Sequence, residues 1–104
     1  NVVLRDRQKL SEDGIIIVAL TLESGSGRVL SGPDIVSRGF VYVKDSEDLM
    51  DEARKVLRTT LDRIEKNHVR EWPKIKNELK SDLSDFVWKE TQRRPMILPI
   101  IMEV

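Results

Sequence analysis

The chain has 104 residues, with 18 basic and 18 acidic side chains and therefore no formal net charge. This length suits a single domain with one modest core, and the even charge balance argues against strong autonomous binding of nucleic acid. The absence of cysteine excludes disulfides and thiolate metal sites, and no apolar run approaches the length that crosses a bilayer. The sequence begins at Asn1 with neither a methionine start nor a signal-peptide pattern, so we interpret the chain as a piece of a longer protein.

The first predicted element is a strand in "GIIIVALTLE", residues 14–23, which contains four consecutive β-branched residues. The even positions are apolar throughout, and the odd positions Ile15 and Ile17 are apolar as well. Both faces of this strand are therefore expected to be at least partly covered. The following "ESGSGR" predicts a hairpin connection, and further short strands are expected in "RVL", "DIV" and "GFVYV".

The stretch "LSGPDIVSRGFVYV", residues 30–43, carries turn chemistry. Gly32-Pro33-Asp34 predicts a tight turn, and Ser37-Arg38-Gly39 predicts a bulge that redirects the chain into "FVYV". The alternative is a functional loop in which the Arg38 guanidinium holds an anion. The structural interpretation is favoured, since no base, nucleophile or metal ligand stands beside Arg38.

Two helices are predicted next, each with an apolar stripe at helical spacing. The first begins at Asp45-Ser46 with acidic residues in its first turn. The second begins near Trp72, which its spacing assigns to the apolar stripe, with Pro73 in the first turn, where its missing N–H costs nothing. Trp88 lies off the apolar stripe of the second helix, where two roles are open: packing under the C-terminal tail, or contact with a partner. Two helices can cover only one face of a small sheet.

The last predicted strand lies in "RRPMILPIIMEV", residues 93–104, and Pro99 marks it as an edge strand or gives it a non-pairing position. It is apolar on both faces, so another domain or chain is expected to cover the surface that the helices leave open. The predicted fold is α+β, a mixed sheet of three or four strands with two helices on one face. The predicted interface residues are Ile15, Ile17, Trp88, Ile97 and Ile101.

No catalytic, cofactor-binding or metal-binding residue is predicted. The one histidine, His68, stands near a predicted helix end, whereas a catalytic zinc commonly needs several histidines. The neighbouring carboxylates and cations of the first helix suit a solvated face. Arg93 and Arg94 adjoin the last strand, and the favoured interpretation is that they complement the charge at the end of the preceding helix. The alternative is that, with Arg38, they contact RNA phosphate.

Three motifs together resemble the C-terminal domain of bacterial ribonuclease J: "SGPDIVSRGFVYV", the helix opening "KDSEDLMDEA", and the terminal "RRPMILPIIMEV". The resemblance spans about residues 3–104. It implies one domain over residues 1–104, a three-stranded sheet facing two helices. It also implies a role in oligomer assembly and in supporting the nuclease activity of the parent enzyme.

The same resemblance implies a cytoplasmic parent with 5′-to-3′ exoribonuclease and endoribonuclease activity in RNA decay and maturation. Metallo-β-lactamase and β-CASP domains would hold its catalytic zinc or other divalent metal, so this chain is expected to be non-catalytic and without a cofactor. Its expected partners are the parent's own catalytic domains and a second copy or paralogous subunit, with RNA reached through the parent and no membrane. The alternative is an RNA-binding module that guides substrate to the distant active site.

Overall fold

A computed structural model describes residues 14–39 and 46–104. They form three strands and two helices in the order β1 (Ile15–Leu22), β2 (Val29–Arg38), α1 (Ser46–Lys66), α2 (Trp72–Thr91) and β3 (Met96–Glu103). The strands form one sheet in the order β2-β1-β3, antiparallel between β1 and β2 and parallel between β1 and β3. The predicted α+β fold with a mixed three-stranded sheet is confirmed.

A short hydrogen-bonded loop connects β1 and β2, as the Ser/Gly sequence predicts. The Glu23 N–H donates to the Arg28 carbonyl over 2.8 Å. The Ser26 hydroxyl donates to Glu23 Oε1 over 2.6 Å, and Arg28 Nη2 donates to Glu23 Oε2 over 3.4 Å. The two oppositely charged residues that flank the loop, Glu23 and Arg28, therefore bond to each other and hold its ends together.

Strand β2 is continuous through Gly32-Pro33-Asp34, so the prediction of a tight turn between two short strands is wrong. The register between β1 and β2 shifts around Ala19 and Thr21, opposite this point, and the Gly32-Pro33 peptide bond is cis. Gly32 has φ of +94°, and a Cβ there would lie 2.7 Å from the Ala19 carbonyl oxygen. Glycine and proline thus serve an irregularity inside a strand. Ser37 and Arg38 pair with Ile16 and Ile15 in regular register, so the prediction of a bulge at these residues is wrong. The predicted strand "GFVYV" lies, beyond Gly39, outside the described residues.

Strand β3 is an edge strand, as Pro99 predicts. The Met96 N–H donates to the Gly14 carbonyl over 2.9 Å, and the Val104 N–H donates to the Leu22 carbonyl over 3.1 Å. Because every second residue of a parallel strand bonds to a given neighbour, the even-numbered residues bond to β1. The backbone nitrogen of Pro99, which carries no hydrogen, therefore faces the outer edge of the sheet, where no ladder hydrogen bond is lost.

The core lies between one face of the sheet and the two helices. Ile16, Val18, Leu57, Leu79 and Leu83 are at most 1% exposed. Helix α1 packs against β2 and helix α2 against β3. Since side chains alternate across a strand, the sheet's contribution comes from the even positions of β1 and from the positions of β3 paired with them.

A polar network joins the two helices above this core. The hydroxyl of Thr60, which is 1% exposed, lies 2.7 Å from Asp82 Oδ2. Arg63 Nη2 donates to the same oxygen over 2.9 Å and to Glu78 Oε1 over 3.3 Å. The hydrogen bond to Asp82 is the main cause that raises the pKa of Arg63, with Coulombic attraction to Asp82 next. A group whose pKa is raised on folding stabilises the protein fully at pH values below its unfolded-state pKa, and this stabilisation is lost as the pH rises through the folded-state pKa. Both values lie far above neutrality for an arginine, so the contribution of Arg63 to stability does not change with pH near neutrality.

Candidate functional site: the open face of the sheet

The sheet has one apolar face that neither described helix covers, and we call it the open face. It comprises the odd positions of β1 and the residues paired beside them on the outer strands. Its apolar members are Ile15, Ile17, Ala19, Val36, Met96, Leu98, Ile100 and Met102.

Four of these eight side chains are exposed, and the other four, Ile15, Ile17, Ala19 and Met96, are half-buried. Met102 is 61% exposed, Leu98 44%, Val36 43% and Ile100 42%. Three strands about 4.8 Å apart and eight residues of about 3.3 Å rise make a face of roughly 350 Å². Exposed apolar patches of a few hundred Å² on a small domain commonly mark interaction sites.

Two opposite charges lie on the same face at its β2 margin. Asp34 pairs with Ala19 and Arg38 pairs with Ile15 in the register, so both carry their side chains on the open face, on either side of Val36. Both are exposed. Within residues 14–39 and 46–104, Arg38 Nη1 makes one long hydrogen bond, 3.3 Å to the adjacent Ser37 carbonyl.

The structure divides the predicted interface residues. Ile15 and Ile17 lie on the open face and are half-buried. Ile97 and Ile101 are 3% and 7% exposed and belong to the core, so their assignment to the uncovered surface is wrong. The parallel register places Ile97 beside Ile16 on the helix-covered face, and it leaves the even-numbered residues of β3 on the open face.

Trp88 lies far from the open face. It follows the fully buried Leu79 by nine residues, so it projects from α2 about 180° away from the core. The guanidinium carbon of Arg94 lies 4.4 Å from its ring centroid, a cation–π contact. Trp88 is 39% exposed, so a partner role for it stays a prediction.

The three arginines predicted to contact RNA lie at one end of the sheet. Arg38, Ile15 and Met96 are side by side across the three strands, and Arg93 and Arg94 precede β3, separated from Met96 by Pro95. The two outer strands are roughly 10 Å apart. Arg38 belongs to the open face, whereas Arg94 turns back onto the helix layer. Their contact with RNA stays a prediction.

Sequence reasoning missed a second feature at the opposite end of the sheet. A cavity of about 210 Å³ lies between the β1–β2 loop and the start of α2. Trp72 lines it and is 37% exposed, although the helical periodicity assigns Trp72 to the buried stripe. The signal available in the sequence is the cluster of cations around it, in "KNHVREWPKIK", residues 66–76.

The described part of the chain offers little for metal chemistry. Within residues 14–39 and 46–104, no three His, Cys, Asp or Glu side chains are grouped so that they could hold a metal ion. His68 is exposed, and its φ of 55° places it in the turn between the helices. Neither described helix is long and apolar enough to cross a membrane.

These features define the class of protein: a two-layer α+β domain whose sheet is apolar on its uncovered face. Residues 2–104 match the family model described as the ribonuclease J C-terminal domain. The chain therefore belongs to the ribonuclease J C-terminal domain family.

Curated relatives agree with this family. The chain is 44% identical over 104 residues to ribonuclease J2 of Bacillus subtilis, strain 168. It is 45% identical to ribonuclease J 2 of Streptococcus pyogenes serotype M3 and 44% identical to ribonuclease J 2 of Staphylococcus aureus, strain NCTC 8325. Each alignment covers all of this chain and 19% of the relative, so the chain spans about a fifth of the length of these proteins.

Proposed function

We propose that this chain is a non-catalytic assembly domain of a ribonuclease J. The parent would be a cytoplasmic enzyme that degrades and matures RNA through 5′-to-3′ exonuclease and endonuclease activities. Its catalytic centre, with zinc or another divalent metal, would lie in the metallo-β-lactamase and β-CASP domains. This domain would hold such catalytic units together and so support their activity.

The observation that carries the proposal is the exposed apolar open face, and its occupant is a second copy of the same face. Pairing two such faces would remove at most roughly 700 Å² of surface from water, twice the face derived above. Stable interfaces usually bury more than about 1,000 Å². The isolated domains would therefore associate weakly, and the rest of the parent would add the missing area.

The charges at the β2 margin make the face self-complementary. In a twofold pair whose axis crosses the strands at the level of Val36, β2 of one copy lies antiparallel over β2 of the other. Val36 then meets Val36, and Arg38 of each copy meets Asp34 of the other. Each copy contributes the same patch, as an isologous interface requires. A paralogous subunit with the same face could replace the second copy.

A charge exchange tests this arrangement. Sedimentation velocity over a concentration series is expected to show weak dimerisation of the chain. Asp34→Arg would place like charges opposite each other and weaken the dimer, and Arg38→Asp would do the same. The double variant, Asp34→Arg with Arg38→Asp, would restore association, because each pair is re-formed with its signs reversed.

Two results would reject the second copy as occupant. One is a chain that stays monomeric at the highest concentrations. The other is a dimer insensitive both to the charge exchange and to Ile17→Lys on the open face. A monomeric chain whose open face is protected from hydrogen exchange only within the full-length protein would assign the face to the parent's own catalytic domains.

A further inference from the structure

The turn between the two helices and the first residues of α2 form a basic segment of the described chain, and we call residues 66–76 the basic turn. It carries four cations and one acidic residue, Glu71, within a chain of zero net charge. The cations are Lys66, Arg70, Lys74 and Lys76. Three of them are exposed and Lys76 is half-buried. Such a local excess creates a positive potential that the overall charge balance conceals.

A flat aromatic side chain lies among these cations, at the mouth of the 210 Å³ cavity. Trp72 is 37% exposed, and Lys76 Nζ lies 6.0 Å from its ring centroid. Leu22, Val69 and Ile75 complete the apolar wall. The cavity therefore offers an apolar recess beside an indole face and ammonium groups.

Arg70 is positioned on the other wall of the cavity. A Cβ at Gly27 would collide with its guanidinium group, so the absence of a side chain at Gly27 lets Arg70 pack against the β1–β2 loop. Two carboxylates also line the cavity, Glu23 and Glu103. Glu23 is engaged by Arg28 and by the Ser26 hydroxyl, which leaves Glu103 as the acidic side chain opposing the cations there.

We propose that the basic turn binds single-stranded RNA, with one base stacked on Trp72 and the flanking phosphates on Arg70, Lys74 and Lys76. An aromatic face beside a row of cations suits an unpaired strand, because it takes an unstacked base and follows the backbone. The start of α2 adds partial positive charge at the same place. This inference is independent of the open face, and both contacts can form at once.

The cations lie at the end of the sheet opposite Arg38, Arg93 and Arg94, which are the rival candidates for contact with RNA, so substitutions at the two ends decide between the two sites. Each end has one tryptophan and exposed arginines: Trp72 with Arg70 at the basic turn, and Trp88 with Arg93 at the other end. Substitutions matched between the two ends separate a specific contact from a general loss of charge.

Fluorescence anisotropy with a fluorescein-labelled ten-nucleotide oligouridylate gives the affinity of the 104-residue chain and its salt dependence. Three phosphate contacts predict a slope of about −2 for the logarithm of the binding constant against that of salt concentration. Arg70→Ala should reduce this slope by about 0.7, and Arg93→Ala should leave it unchanged. Trp72→Leu, which keeps the wall apolar but removes the stacking face, should weaken binding at least about fivefold, and Trp88→Leu should not.

A spectroscopic readout locates the contact directly. The chain has two tryptophans, so Trp88→Phe leaves Trp72 as the only indole, and its fluorescence should be quenched as the oligonucleotide is added. Circular dichroism confirms that each variant is folded. Three outcomes would overturn the proposal: no binding at low salt, loss of binding with the Trp88 and Arg93 variants instead, or equal competition by polyglutamate, which would indicate an acidic protein partner.

Discussion

A substitution at Gly32 tests how closely the backbone of β2 approaches the backbone of β1. Its φ of +94° lies where side chains are disfavoured, and a Cβ there would lie 2.7 Å from the Ala19 carbonyl oxygen and 3.1 Å from the Leu20 Cα. Both neighbours are backbone atoms, so no side chain can rotate away. Gly32→Ala therefore forces the two strands apart at the point where their register shifts.

Gly25 in the β1–β2 loop is the matched control, because its φ is +91° and a Cβ there would meet no atom within 4 Å. Adopting a left-handed conformation costs an alanine about 1–2 kcal/mol, and lower entropy of the unfolded chain returns about 0.4–1 kcal/mol. Gly25→Ala should therefore lower the free energy of unfolding by about 1 kcal/mol. Gly32→Ala adds a steric cost of about 1–3 kcal/mol, so its total should be about 2–4 kcal/mol.

Urea denaturation followed by circular dichroism measures both losses, with unchanged m-values as the check that unfolding stays two-state. A loss of 2–4 kcal/mol is a large share of the stability of a small domain. Equal losses for the two variants would refute the reasoning, because they would mean that the close approach of Gly32 to β1 contributes nothing beyond its φ.

Two pairs of variants and one single variant give further predictions from the packing. Ile97→Lys buries a charge in the core and should prevent folding, whereas Leu98→Lys, one residue later on the open face, should leave thermal unfolding nearly unchanged; circular dichroism melts compare them. Thr60→Val should lower the free energy of unfolding by about 1–2 kcal/mol, because it removes a buried hydrogen bond to a carboxylate. Arg63→Ala should lower it by less than about 1 kcal/mol, because that ion pair is partly exposed; urea titrations rank the two. Pro99→Val should restore a donor to the outer edge of β3 and increase aggregation on heating, which light scattering would detect.

The regular elements could be predicted because their signals are local. The β-branched run of β1 and the apolar stripes of α1 and α2 have a period that few other structures satisfy. The order of strands and helices then follows from the positions of these segments along the sequence. The uncovered apolar face could also be anticipated, since two helices cannot enclose both faces of a three-stranded sheet.

The faces of β3 could not be assigned in this way, because alternation identifies two faces but does not say which one turns inward. Both faces of β3 are apolar, and the choice depends on its pairing with β1, which is a long-range contact. The sequence of neither strand alone determines the register that places Ile97 beside Ile16.

Local chemistry also misled at two places. Gly32-Pro33-Asp34 has the composition of a turn, yet it lies inside a strand, since glycine and proline also suit irregular strand positions. Trp72 has the spacing of a core residue, but it occupies the first turn of α2 and is 37% exposed. Only the tertiary arrangement shows that its indole lines a cavity instead.

The parallel pairing of β1 with β3 has a consequence for how the domain is made. Residues near position 18 gain their second neighbouring strand only from residues near position 99, with both helices lying between them in the sequence. During synthesis, β1 and both helices emerge while one flank of β1 still lacks its partner. The domain can therefore reach its native state only after β3 has left the ribosome, and truncation before Met96 would leave a central strand with an unpaired, strongly apolar edge.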